Sequence, residues 1–201
     1  MGSEGRNDPS RHHDPGRLLA EFAGRVLVVC PRCGGRAHIA PRPGLPAPAS
    51  SELLFQPRRL VCGACGAVAG WTADMRGGGL VAAQPGGTED PFLGRPLWLQ
   101  TRCAGRILWA YNEEHIEALA AYAGAALRER SGARPTRAMS ARLPRWMKES
   151  GHRAEVLAGL ERLRALSRRS APADRSDAAH ERGDRPRKYR ALYFRGRPYE
   201  S

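Results

Sequence analysis

Two C-x2-C pairs each preceded by a β-prone run, a later alternating apolar stretch with glycine at its turn, and two segments with apolar residues at helical spacing predict a small α+β protein. Its core is expected to be thin. Of 201 residues, 41% are hydrophobic and 6% aromatic, while 23 Gly and 16 Pro suit turns rather than element interiors. That composition argues against a large enzyme core and for a fold held in part by something other than apolar burial. No stretch approaches the roughly 20 apolar residues of a bilayer span, so no membrane partner is expected.

Residues 1–17 are polar and charge-balanced, and the apolar stretch after them is interrupted by Glu21 and Arg25, unlike a secretory signal. They read as a disordered leader on a cytoplasmic protein. His12 and His13 are adjacent imidazoles in that leader and read as solvated rather than as metal ligands.

Residues 18–75 carry the sharpest signal. Cys30 and Cys33 stand in CPRCGG after VLVV, and Cys62 and Cys65 stand in CGACGA after RLV. Two thiolates two residues apart bind one ion only where the backbone turns tightly. A glycine after the second cysteine permits the positive φ that brings amide N–H groups toward sulfur. Two such turns at hairpin tips would close a tetrahedral four-sulfur site, and that donor set suits Zn2+. The 28 residues between the pairs exceed the usual spacing of about 15 to 20. The surplus fits PRPGLPAPASS, Pro41 to Ser51, which is rich in turn formers. Disulfides are disfavoured in a reducing cytosol. A redox dithiol would sit at a helix N-terminus, whereas Gly34-Gly35 and a strand-like run follow here. A four-sulfur iron centre remains an alternative occupant.

CPRCGG and CGACGA resemble the zinc ribbon of general transcription factor IIB, RNA polymerase subunits and many small bacterial proteins. DPFLGRPLWLQTRCAGRILWAYNEEH and SARLPRWMKES are similar to a group of uncharacterised small bacterial zinc-ribbon proteins in which a short helical region follows the ribbon. The first resemblance covers about residues 26–73, and the second reaches about Leu166. The family's metal positions fall on Cys30, Cys33, Cys62 and Cys65. Neither resemblance supplies a reaction, because ribbons serve DNA, RNA and protein contacts alike.

Residues 76–95, with GGG and QPGGTED, read as a linker or loop. From Pro96, Leu97, Leu99 and Thr101 alternate with Trp98, Gln100 and Arg102, and Arg106 to Tyr111 are β-prone, which predicts a hairpin turning at Ala104-Gly105. Trp98 and Trp109 read as packing residues rather than base-stacking platforms. Cys103 and His115 could be imagined as nucleophile and base, yet the sequence offers no elbow, third partner or oxyanion loop, and no catalytic residue is assigned. Asn112 is a good N-cap for a helix over about 113–130, with Glu113 and Glu114 on the positive end of its dipole. A further helix over about 152–166 would bury Val156, Leu160 and Leu163.

The formal net charge is +13. All but Lys148 and Lys188 of the 33 basic residues are Arg, a bias expected of a GC-rich genome, so the net excess is the informative quantity. It centres on residues 132–170, where 10 basic residues face 3 acidic ones. There Arg142, Arg145 and Lys148 flank Trp146, a pattern of phosphate-binding charge beside an aromatic face. Residues 167–201 read as a basic disordered tail in which Arg187, Lys188 and Arg190 stand among Tyr189, Tyr193 and Phe194. The expected function is a zinc-binding, non-catalytic nucleic-acid-binding protein, contacting DNA or RNA through those six cations. The competing reading is a protein-protein adaptor.

Overall fold

A computed structural model describes residues 11–49, 52–76, 79–125, 127–130, 138–180 and 193–194. Strand β1 (Arg11–Asp14) leads into a 3-10 turn, Leu19–Gly24. The Glu21 carboxylate accepts the Leu18 N–H at 3.2 Å, while Phe22 and Ala23 turn into the core.

Four strands then form an antiparallel sheet in the order β2 (Val26–Val29), β3 (Arg36–Pro41), β4 (Arg58–Val61) and β5 (Val68–Trp71). All four residues of β2 are buried. Its side chains pack into the apolar cluster, and its outer edge is covered as well: the Val29 N–H donates to Pro96 O at 2.9 Å, the Trp98 N–H to Leu27 O at 2.9 Å, and the Leu27 N–H to Tyr111 O at 2.8 Å. A continuous apolar run, rather than alternation, is the signature of a strand enclosed on both faces. Strand β4 alternates instead, with Arg58 and Leu60 inward and Arg59 outward. Arg58 is 2% exposed, and its guanidinium donates to Ala23 O, Gly24 O and Leu53 O and lies 4.5 Å from the Phe92 ring centroid. A charge-assisted clasp of this kind joins the 3-10 turn to the long β3–β4 loop.

The passage expected as a linker, 76–95, contributes structure and buried groups. Strand β6 (Asp74–Arg76) pairs antiparallel with β7 (Gly79–Val81), and Leu80, Ala83, Asp90 and Phe92 are buried. Asp90 organises its end by accepting the backbone N–H groups of Phe92, Leu93 and Arg95. This is turn chemistry of an Asp before Pro, visible in the sequence but outweighed there by the glycines.

Strands β8 (Gln100–Cys103) and β9 (Arg106–Trp109) form the expected hairpin, and Ala104 and Gly105 take φ of 49° and 65° at its two-residue turn. Leu97, Trp98 and Leu99 precede it, all fully buried, and the Trp98 Nε1–H donates to Leu166 O at 3.2 Å. Trp98 is therefore a core residue.

Helix α1 (Glu113–Gly124) starts at Asn112 as expected, with the Asn112 side chain accepting the His115 N–H at 2.9 Å. Its Nδ2 also donates to Phe22 O and Arg25 O, at 2.8 and 2.7 Å. The helix stops short of the expected residue 130. Gly124 is its last residue, Ala125 is extended, and β10 (Leu127–Arg130) pairs in parallel with β1. Thus part of the expected leader, residues 11–14, is a strand.

Two four-residue helices follow, α2 (Met139–Arg142) and α3 (Arg145–Lys148), separated by Leu143-Pro144. Helix α4 (Arg153–Ser167) matches its expected span and buries Val156, Leu160 and Leu163. Order continues beyond Ser167, contrary to expectation. Further 3-10 turns form at Pro172–Asp174 and Asp177–His180, Ala178 and Ala179 are buried, and Arg102 pairs with Asp177 at 3.3 Å. A small-residue pair that packs on the hairpin offsets the polar composition that suggested disorder. Strand β11 (Tyr193–Phe194) adds antiparallel to β7. One apolar cluster joins residues of β2–β4, the hairpin, α1 and α4, so the α+β architecture shares a single core. Among the described residues no helix is long and apolar enough to cross a membrane.

Candidate metal centre

The β2–β3 and β4–β5 turns are built alike. In the first, the Cys30 N–H donates to Gly35 O at 2.8 Å and the Gly34 N–H to Cys30 O at 3.0 Å; in the second, the Cys62 N–H donates to Ala67 O at 2.9 Å and the Gly66 N–H to Cys62 O at 3.0 Å. Gly34 and Gly66 occupy the left-handed region, at φ 76° and 70°, where a side chain would be strained. Because β3 and β4 are neighbours, the two tips lie side by side and deliver Cys30, Cys33, Cys62 and Cys65 to one point.

All four Sγ atoms lie within 4.8 Å of one another. The Cys30 and Cys65 sulfurs are 3.6 Å apart, and those of Cys33 and Cys62 are 3.7 Å apart. A disulfide requires about 2.05 Å. A tetrahedral ion with metal–sulfur bonds of about 2.3 Å places its sulfurs about 3.8 Å apart. The observed separations suit a shared ion and exclude a bridge as the chain stands. The four expected metal ligands are thus brought together, and this donor set can hold a metal ion.

Electrostatics point the same way. Burial pushes the Cys30 thiol up, but the N–H groups of Cys33 and Arg32 and the neighbouring sulfurs outweigh it and bring the thiol from 9.0 to about 7. At Cys33 the Gly35 N–H favours the thiolate, yet burial and the sulfurs of Cys62, Cys65 and Cys30 together push the thiol up to about 12. Four thiols this close cannot all ionise unless a cation compensates them.

The first turn is latched from behind by the chain after α4. The Arg36 N–H donates to Ser170 O at 3.0 Å, and the Arg36 guanidinium donates to Ser167 O. A Cβ on Gly35 would sit 2.8 Å from Ser170 O. Gly35→Ala is therefore expected to displace residues 168–172 and to destabilise the protein by about 1–3 kcal/mol. Thermal melting checks this, with Gly63→Ala, which meets nothing within 4 Å, as the comparison.

The remaining candidates fall in different places. Arg142 is exposed on α2; Arg145 on α3 pairs with Glu149 at 3.2 Å; Lys148 donates to Ala141 O at 2.8 Å. Arg187, Lys188 and Arg190 lie outside the described residues. Cys103 is buried, and its thiol is pushed up by burial and by Glu155, with Arg162 opposing. His115 is 2% exposed, with its ring stacked on Phe22 at 4.9 Å. Glu114 pairs with Arg17 at 2.7 Å.

One feature of the sheet had no sequence signal. Arg42, Arg59 and Trp71 line an open groove of about 420 Å3 between the end of β3 and strands β4 and β5. Only strand register places these three distant residues together, so composition and spacing could not show it. No family profile matches the chain, and no curated protein or solved structure matches it either.

Proposed function

We propose that the protein is a zinc-binding, non-catalytic nucleic-acid-binding protein of cytoplasmic location, acting in transcription or on RNA. Zinc is favoured for the centre because four thiolates in a closed tetrahedron are the donor set of structural zinc sites. The observation that carries the nucleic-acid part is the groove on the cysteine-bearing sheet. Arg42 and Arg59 line it, while the Trp71 ring shares the face of Arg58 and packs edge-on against Phe92 at 5.0 Å, and residues 30–70 carry 5 basic residues against 1 acidic one. A groove with cations along it can track the phosphate backbone of a single strand, the sequence-tolerant part of such binding. Within the α2–α3 segment, Arg145 is already engaged by Glu149 and Lys148 by a carbonyl, so the groove is the stronger contact surface of the two.

A salt titration of binding to labelled single-stranded DNA, duplex DNA and RNA tests the reading. Arg42→Gln with Arg59→Gln is expected to weaken binding and to lower the slope of log K against log salt by about 1.4–1.8. Absence of binding at low salt would remove the reading. An unchanged slope in the double variant, with a reduced one in Arg142→Gln/Arg145→Gln/Lys148→Gln, would move the contact to α2–α3.

The adaptor reading has its own support. Strand β5 is an edge strand, paired only with β4 among the described residues, and Val68 on it is 53% exposed. An extended partner could add there by strand pairing, and such binding would respond weakly to salt.

A further inference from the structure

A recess of about 350 Å3 opens between the 3-10 turn 19–24, β9, α1 and the α2–α3 segment. Its walls are largely apolar, with Leu19, Leu108, Leu119, Met139 and Met147 among them, and Trp109 and Trp146 add indole faces. Among the described residues no carboxylate lines it. A concave, mostly apolar space with a few placed polar groups is the usual form of a small-molecule site, and this volume lies at the lower end of the roughly 300–1,000 Å3 range.

Two titratable side chains among the described residues line it, His115 and Arg142. The His115 ring is fixed by its stack on Phe22 and by an edge contact with Trp109 at 5.7 Å between centroids. Its Nδ1 accepts the Tyr111 backbone N–H at 3.3 Å, which leaves the ring proton on Nε2. Burial first, and then the Arg17 charge, lower its pKa to about 3, so the ring is neutral at physiological pH. The Nε2–H has no hydrogen-bond partner among the described residues. The side chain is 2% exposed and lines the recess, so its Nε2–H is available to an acceptor bound there. Arg142 stands at the open side, exposed and without an ion-pair partner among the described residues, whereas Arg145 one turn on has Glu149.

We propose that this recess binds a small organic anion, an aryl or medium-chain carboxylate. Its apolar body lies among the Leu and Met side chains, and its carboxylate takes up the two unpartnered donors, His115 Nε2–H and the Arg142 guanidinium. Nucleic acid is a poor occupant here, because a phosphodiester chain would not match the apolar walls. The site is independent of the groove at Trp71 and stands or falls separately from it.

The test uses the full chain, metal-loaded, with benzoate, 2-naphthoate and octanoate as probes. Methyl NMR reports directly, since Met139 and Met147 line the recess while Met75 is exposed on β6. At least one probe is expected to shift Met139 and Met147 saturably and leave Met75 unmoved. Arg142→Gln, a surface change that should fold normally, is expected to weaken that carboxylate about tenfold or more while leaving 2-naphthamide unchanged. His115→Phe keeps a ring in the stack and removes the donor, so it too should weaken the carboxylate. Leu119→Trp should fill the space and abolish binding of the carboxylates and of 2-naphthamide alike. No saturable shift with any probe at millimolar concentration would overturn the site. Saturable binding that Arg142→Gln does not alter would overturn the assignment of an anion.

Discussion

Replacing Cys30 by serine is expected to abolish stoichiometric metal binding and to lower the unfolding midpoint by about 10 °C or more. A hydroxyl is a poor ligand for a soft-thiolate site, and the other three sulfurs cannot close a tetrahedron alone. In zinc-finger peptides the metal supplies about 10–16 kcal/mol, effectively the whole folding free energy. Here the sheet also leans on the core through β2, so the loss is expected to be a fraction of that. A loss of about 3–5 kcal/mol, at roughly 2–4 °C per kcal/mol for a chain of this size, gives the stated shift. Elemental analysis should return one zinc per wild-type chain and less than a tenth of that for Cys30→Ser. Cys103→Ser should keep full occupancy, because that thiol is not among the four clustered sulfurs. A chain that retained its metal without Cys30 would refute the four-sulfur centre, and a coloured, iron-containing preparation would refute zinc.

Asp90→Ala should be nearly as damaging, although nothing about it touches the metal. Asp90 is fully buried, and its Oδ1 serves the Phe92 and Leu93 N–H groups while its Oδ2 serves Arg95. Alanine removes the acceptor of three backbone donors, that of Phe92 buried and those of Leu93 and Arg95 half-buried. At about 1–3 kcal/mol each, partly relieved by relaxation, the expected cost is about 3–5 kcal/mol. Asp90→Asn separates the two oxygens: the amide oxygen can still serve Phe92 and Leu93, but its NH2 faces the Arg95 N–H. Its stability, read by urea denaturation, should fall between wild type and alanine. Equal stability of all three would show that this turn is held by packing alone.

The readiness with which different parts could be read from sequence follows from how local their signals are. The cysteine turns were legible because ligand, turn and glycine all lie within six residues, and Gly34 and Gly66 have the conformations that spacing requires. The hairpin at Ala104-Gly105 and the cap at Asn112 are equally local. The α1 end was misread because Leu127 continues the apolar period beyond Gly124, and only the partner strand at residues 11–14 shows why the chain is extended there. Burial of Ala178 and Ala179, the Arg42–Trp71–Arg59 groove and the His115 recess depend on segments tens of residues apart. No window along the chain contains their cause.

The latch of Ser170 on Arg36 and Gly35 joins two equilibria that would otherwise be separate. A segment that binds the closed turn better than the open one must raise the affinity of that turn for its ion, and the ion must hold the segment by the same factor. Residues 168–172 contribute no ligand, yet they belong to the affinity of the centre. A chain ending at Ser167 would thus be altered at its metal site as well as shortened at its terminus.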